Sequence, residues 1–124
     1  MSKSKPDERR ASLEVLRDSL RQFASDRDWD QFHSPKNLAI ALSVEVAELL
    51  EHFQWISEAG SAALTPDQHA KVREEAADVL LYLVRLADKL DIDLLVAATE
   101  KLTLNGAKYP VEKARGSSKK YTEL

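Results

Sequence analysis

The sequence predicts an all-α chain, an antiparallel four-helix bundle, on three observations. Ala, Leu, Glu, Lys and Arg dominate, β-branched residues are sparse, and only 3 glycines and 4 prolines interrupt the 124 residues, a composition that favours helices. Apolar residues recur every three or four positions in each long segment, the spacing that puts them on one helical face. Helix-start signals stand where those periodic stretches begin.

The first helix is expected from about Ser12 to Asp26, with Leu13, Leu16, Leu20 and Phe23 along one stripe. The stretch RDWDQFH that follows has no period and reads as a loop. Ser34 and Pro35 open the second helix, the serine as N-cap and the proline in the first turn, where its missing N–H costs nothing; it is expected to reach about Ile56. A connection over 58–64 leads to Thr65-Pro66-Asp67-Gln68, a capping box, and to a long third helix ending near Leu90. Its apolar face is expected at Val72, Ala76, Val79, Leu83, Leu86 and Leu90. Asp93 caps a fourth helix through Leu95, Ala98 and Leu102 that must stop before Pro110. The organisation predicted is a flexible segment at 1–11, one helical domain at 12–110 and a basic tail at 111–124 that would be mobile alone.

Composition narrows the function classes. The chain has 44% hydrophobic and 31% charged residues and a mean hydropathy of −0.40, enough to bury a core and too polar to live in a bilayer. The start MSKSKPDERR leads into no apolar run, so neither export nor membrane insertion is expected, and the absence of cysteine excludes disulfides and thiolate metal sites. A cytoplasmic location is the expectation. The net charge of −3 hides an asymmetry: residues 40–100 carry 12 acidic and 4 basic side chains, residues 101–124 carry 2 and 6. An acidic centre is a poor footprint for nucleic acid, which needs clustered cations. It suits cation binding or plain solvated helices.

The anomaly that carries chemistry is on the second helix. At about 100° per residue, Leu38, Leu42, Leu49, Phe53 and Ile56 fall within about 60° of one another, and Glu45 sits in the middle of that stripe. Glu48 lies one turn on, on the flank that also carries Asn37, Ala41 and Trp55. An ionised carboxylate in a helix seam costs several kcal/mol unless a counter-charge or a metal compensates it, about several kcal/mol per buried ion. The third helix repeats the device, with Glu75 and Asp78 three residues apart beside Tyr82 at the edge of its seam. Two such pairs on facing helices offer oxygen ligands to a hard divalent cation, Mg²⁺ or Mn²⁺. A di-iron bundle would need Glu-x-x-His, and no glutamate here has a histidine three residues later. Magnesium held by carboxylates completes its shell with phosphate oxygens and water, which points to a phosphorylated substrate.

Other residues suit a nucleotide. Trp29 and Trp55 flank the second helix and could stack on a base; His33 and Asn37 could read a base edge or a sugar hydroxyl. Lys101, Asn105 and Lys108 fall on one face of the fourth helix and could hold a polyphosphate. Each of these residues alone is equally at home in a core, a cap or a solvated stripe.

Taken together, SVEVAELLEHFQW, REEAADVLLYLVRLA and KLTLNGAKYP resemble the MazG-like all-α nucleoside triphosphate pyrophosphohydrolases. Within them, RDWDQFHSPKNLAIALSVEVAELLEHFQW and the ending SSKKYTEL are most similar to the dCTP pyrophosphatase branch, over roughly residues 12–124. The resemblance implies that Glu45, Glu48, Glu75 and Asp78 ligate Mg²⁺, and that Trp29, His33, Asn37, Trp55 and Tyr82 bind the base. Lys101, Asn105, Lys108 and Tyr109 match the family's phosphate-side motif, although Gly106 and Ala107 stand where relatives often carry bulkier or basic residues. It also implies a homotetramer built as two dimers, with nucleotide pockets at subunit boundaries. The implied reaction cleaves a nucleoside triphosphate, dCTP or a 5-substituted dCTP, between its α and β phosphates. A water attacks phosphorus, with Glu45 or Glu48 as the catalytic carboxylate. Lys101, Asn105 and Lys108, with Lys120 and Tyr121, stabilise the departing pyrophosphate. Apolar residues on second faces, Val46 and Leu50 on the second helix and Leu80 and Ala87 on the third, favour self-association. Two rivals stay open: a house-cleaning pyrophosphohydrolase acting on other non-standard nucleotides, and a non-catalytic helical module whose acidic patch binds a basic partner.

Overall fold

In a computed structural model residues 12–124 are described, and every regular element among them is helical. The expected flexible segment at 1–11 lies outside the described residues. The chain divides into two compact units, one ending at Asp91 and the other running from Ile92 to Leu124.

The first unit contains α1 (Leu13–Asp26), α2 (Pro35–Glu51), a single turn α3 (Glu58–Ser61) and α4 (Pro66–Lys89). Its helix starts are the ones the sequence signals. Ser12 accepts from Val15 N, Ser34 accepts from Asn37 N ahead of Pro35, and Thr65 and Gln68 close both halves of the capping box. Both α1 and α2 pack against α4, α2 more extensively. Ala24 of α1, Leu38 of α2, and Val84 and Ala87 of α4 form the fully buried apolar set among the described residues. No helix among these residues is long and apolar enough to cross a membrane.

Three expectations are corrected here. The second helix does not reach Ile56: α2 stops at Glu51, and His52–Ile56 run as tight turns, with Phe53 and Gln54 both donating to the Leu50 carbonyl. Nothing in HFQWI breaks a helix by itself, so the apolar period simply outlasts the helix. The connection over 58–64 holds the turn α3, capped by Ser57. The packed face of α4 is also rotated. Of the expected seam Val72, Val79 and Leu86 are half-buried but Ala76, Leu83 and Leu90 are exposed, whereas Glu75, Asp78, Tyr82 and Arg85, roughly 100° round the helix, are half-buried or buried. Ala87, expected on an outer face, is buried, and α1 reaches α4 through Arg21 and Asp88. Val46, Leu50 and Leu80 are exposed, as expected.

The second unit contains α5 (Leu94–Lys108), capped by Asp93 through Val96 N, then the turn α6 (Val111–Ala114) and a 3₁₀ turn at Tyr121–Glu123. The tail beyond Pro110 therefore carries two short helical pieces.

Candidate functional site

Residues of α2 and α4 build an acidic cluster in the first unit. Glu45 and Glu48, three apart on α2, meet Glu75 of α4 so that one carboxylate oxygen from each lies within 4.8 Å of the others. All three are half-buried, and one oxygen each of Glu45 and Glu75 is buried with no hydrogen-bond partner. Burial and the neighbouring Glu48 and Glu75 push the Glu45 carboxyl up from 4.5 to about 7. Glu75 is raised for the same first reason, burial, with the charges of Glu48 and Asp78 adding to it. Partnerless buried carboxylate oxygens are costly, and like charges this close oppose joint ionisation. A proton or a cation must serve them. An all-oxygen set on two helices fits a hard divalent ion.

Asp78, the fourth expected ligand, stands outside this trio. It is half-buried one turn beyond Glu75, close enough for its charge to raise both Glu45 and Glu75, and it forms part of the wall of a neighbouring cavity of about 240 Å³. Leu20, Phe23 and Ala24 of α1, Trp29 and His33 of the connection to α2, and Tyr82 and Arg85 of α4 line the rest. The cavity wall thus combines aromatic side chains with one carboxylate, Asp78.

The placement of Trp29 follows from how α1 ends. Asp28 adopts φ 53°, Asp28 N donates to the Ser25 carbonyl and Trp29 N to the Ala24 carbonyl at 2.9 Å. This is the Schellman pattern, with aspartate taking the left-handed position usually left to glycine. The apolar contact that accompanies such a cap is Trp29 edge-on to Phe23, ring centroids 5.6 Å apart. Arg27 lies over the Phe23 ring, 3.6 Å from its centroid. The 3₁₀ turn Asp30–Phe32 then delivers His33, whose ring meets Trp29 at 6.2 Å.

Two of the expected base-binding residues are not brought to this cavity. Trp55 is 86% exposed in the turns after α2, a consequence of that helix ending early. Asn37 spends its amide on the Phe32 carbonyl at 3.1 Å, bracing the 3₁₀ turn. Within the second unit, Lys108 Nζ stands 4.9 Å above the Tyr121 ring, and Tyr121 meets Tyr109 edge-on at 5.9 Å. Lys101 and Lys120 are exposed and Asn105 half-buried.

Sequence reasoning missed an ion-pair network beside the cavity. Arg85, 5% exposed, pairs with Asp30, lies 3.5 Å from Asp88, and donates from Nε to His33 Nδ1 at 3.2 Å. Arg21 of α1 binds Asp88 with two hydrogen bonds, and Lys89 reaches Asp30 at 3.0 Å. The hydrogen bond from Arg21 pulls the Asp88 carboxyl below its ordinary value, and that from Lys89 does the same for Asp30. The signal was present: extending the row Glu75, Asp78, Tyr82 by three residues lands on Arg85.

Residues 40–124 match the MazG-like family. The chain belongs to the MazG-like family. It is 47% identical to dCTP pyrophosphatase 1 of Homo sapiens, over 91% of this chain and 68% of that protein, and 48% identical over the same shares to dCTP pyrophosphatase 1 of Rattus norvegicus. Its structure is similar to the crystal structure of a pyrophosphatase from Archaeoglobus fulgidus, with a TM-score of 0.76 and 42% identity over 86% of this chain and 99% of that one. The all-helical architecture and the family agree with the sequence reading.

Proposed function

We propose that this MazG-like chain is a Mg²⁺-dependent pyrophosphohydrolase that converts dCTP, including 5-substituted dCTPs, to dCMP and pyrophosphate. The observation that carries this reading is the acidic trio with its two unpartnered oxygens, set beside a cavity walled by Trp29, His33 and Tyr82. The names of the relatives supply the nucleotide.

Glu45, Glu48 and Glu75, with Asp78, would hold the cation. When bound, Mg²⁺ screens the triphosphate and polarises its α-phosphoryl group. Glu45 or Glu48 orients a water and takes its proton as the water oxygen bonds to the α-phosphorus. The bond from that phosphorus to the bridging oxygen breaks, and pyrophosphate leaves with the electron pair. Trp29 and Tyr82 offer aromatic surface to the base and exclude water from it. Lys101, Asn105, Lys108, Lys120, Tyr109 and Tyr121 are assigned to the polyphosphate on the family resemblance.

The proposal includes a homotetramer, a dimer of dimers with nucleotide pockets at subunit boundaries. Exposed apolar side chains on α2 and α4, Val46, Leu50 and Leu83, with Leu90 just past the end of α4, supply faces for such contacts, and exposed Trp55 is free to serve a neighbouring subunit's pocket. Removal of modified cytosine nucleotides from a cytoplasmic pool is the role this chemistry suits.

The test is a panel of nucleoside triphosphates offered singly with Mg²⁺. Pyrophosphate release with dCTP preferred is expected. Orthophosphate release, activity without a divalent cation, or no preference for dCTP would overturn the assignment.

A further inference from the structure

Arg85 is the buried charged residue among the described residues, and its environment dictates the state of His33. A guanidinium stays protonated and has donors but no acceptor. Its contact from Nε to His33 Nδ1 at 3.2 Å therefore has one polarity: Nδ1 accepts and carries no hydrogen. The imidazole proton is left on Nε2. Burial, and after it the charge of Arg85, holds His33 below its ordinary pKa, so the ring is neutral near pH 7. The guanidinium cannot drift away, because Asp30 and Asp88 hold it and are themselves anchored by Lys89 and Arg21. His33 and Arg85 both belong to the wall of the aromatic cavity.

We propose that Arg85 is a positioning residue for base selection: by occupying Nδ1 it fixes His33 as a neutral Nε2–H donor in the cavity wall. Such a donor favours a base whose facing atom is an acceptor and rejects one whose facing atom carries hydrogen. Set against N3, the donor meets an acceptor in cytosine and N3–H in thymine; O2 accepts in both bases and does not discriminate. This role rests on the nucleotide reading above. Arg85 acts through His33 and need not touch the substrate.

Nitrogen-15 NMR of His33 in the nucleotide-free wild type reads the tautomer without any catalysis. A hydrogen on Nε2 and a bare Nδ1 are expected, giving way to mixed tautomers in Arg85→Met. An Nδ1–H or doubly protonated ring in the wild type, or an unchanged ring in the variant, overturns the proposal. In steady-state kinetics Arg85→Met should lower the ratio of kcat/KM for dCTP over dTTP about tenfold, the worth of one hydrogen bond in a polar-reading site. The loss should lie chiefly in KM. His33→Ala should lose similar discrimination, and adding Arg85→Met to it should change the ratio by less than about twofold. Equal losses with and without His33 would mean a general packing role and overturn the proposal. The wild-type spectrum and His33→Ala decide the matter even where Arg85→Met does not fold. A wild type that hydrolyses no nucleoside triphosphate removes the base-selection role through the function reading, while the spectrum still reports whether Arg85 sets the tautomer.

Discussion

Two groups of charged side chains hang on α4 and meet the problem of burial in opposite ways. Toward its middle, Glu75 joins Glu45 and Glu48 in a trio of one sign, with two oxygens lacking partners and carboxyls pushed toward the neutral form. Toward its end, Arg85, Asp88 and Lys89 join Arg21 and Asp30 in a network of alternating sign, whose carboxyls are held in the charged form. Charges compensated from within the chain position neighbours: here the last turns of α4, α1 and His33. Charges left uncompensated call for a proton or, on the function proposed above, for a cation.

The comparison can be broken at either end. The largest effect is expected for Glu45→Gln, which should lower dCTP turnover by ~10³-fold, within the range of losing an acid–base group. The metal-free protein should lose no stability, since a like-charge contact is relieved; a stability loss comparable to a core substitution would contradict the functional reading of the trio. Asp88→Ala should do the reverse. It strips Arg21 and Arg85 of a shared buried partner and should cost roughly 2–4 kcal/mol in denaturant unfolding, with kcat for dCTP well below the melting point staying within a few-fold of wild type.

Acid and base should also separate the two groups. Asp88 has a lowered carboxyl pKa, so the stability it contributes is complete above the ordinary carboxylate range and lost as pH falls through that range and below it. Glu45 is raised from 4.5 to about 7, so the metal-free folded state binds the extra proton, and stability falls as pH climbs through that interval. Thermal melts in chelator should therefore decline on both sides of a mildly acidic optimum, and Mg²⁺ should flatten the neutral side alone. A melt profile rising steadily to pH 7 in chelator would contradict the assignment of Glu45. The smallest effect is Thr65→Ala, which opens the capping box far from both groups and should cost about 1 kcal/mol in denaturant unfolding without changing the pH profile.

Much of this was legible in the sequence, for local reasons. Caps at Ser34, Thr65 and Asp93 act within three residues, so their chemistry can be read from adjacent letters. Glu45 was legible because a carboxylate interrupted an otherwise apolar stripe. The face of α4 was not, because the apolar period singles out Leu83 and Leu90 and scores Arg85 as a surface charge. Asp30, 55 residues away in an aperiodic connection, joins Asp88 and His33 in making that burial tolerable. The end of α2 was hidden for a related reason: Phe53 and Ile56 continue the helical period while the backbone has already turned. Trp55 was placed on the wrong footing by the same five residues.

Titration calorimetry of Mg²⁺ into the nucleotide-free protein, wild type beside Glu45→Gln, tests the central claim most directly. Saturable binding is expected in the wild type, with proton release below pH 7 as the Glu45 carboxyl yields its hydrogen, and at least tenfold weaker binding in the variant. Identical isotherms for the two proteins would contradict the account.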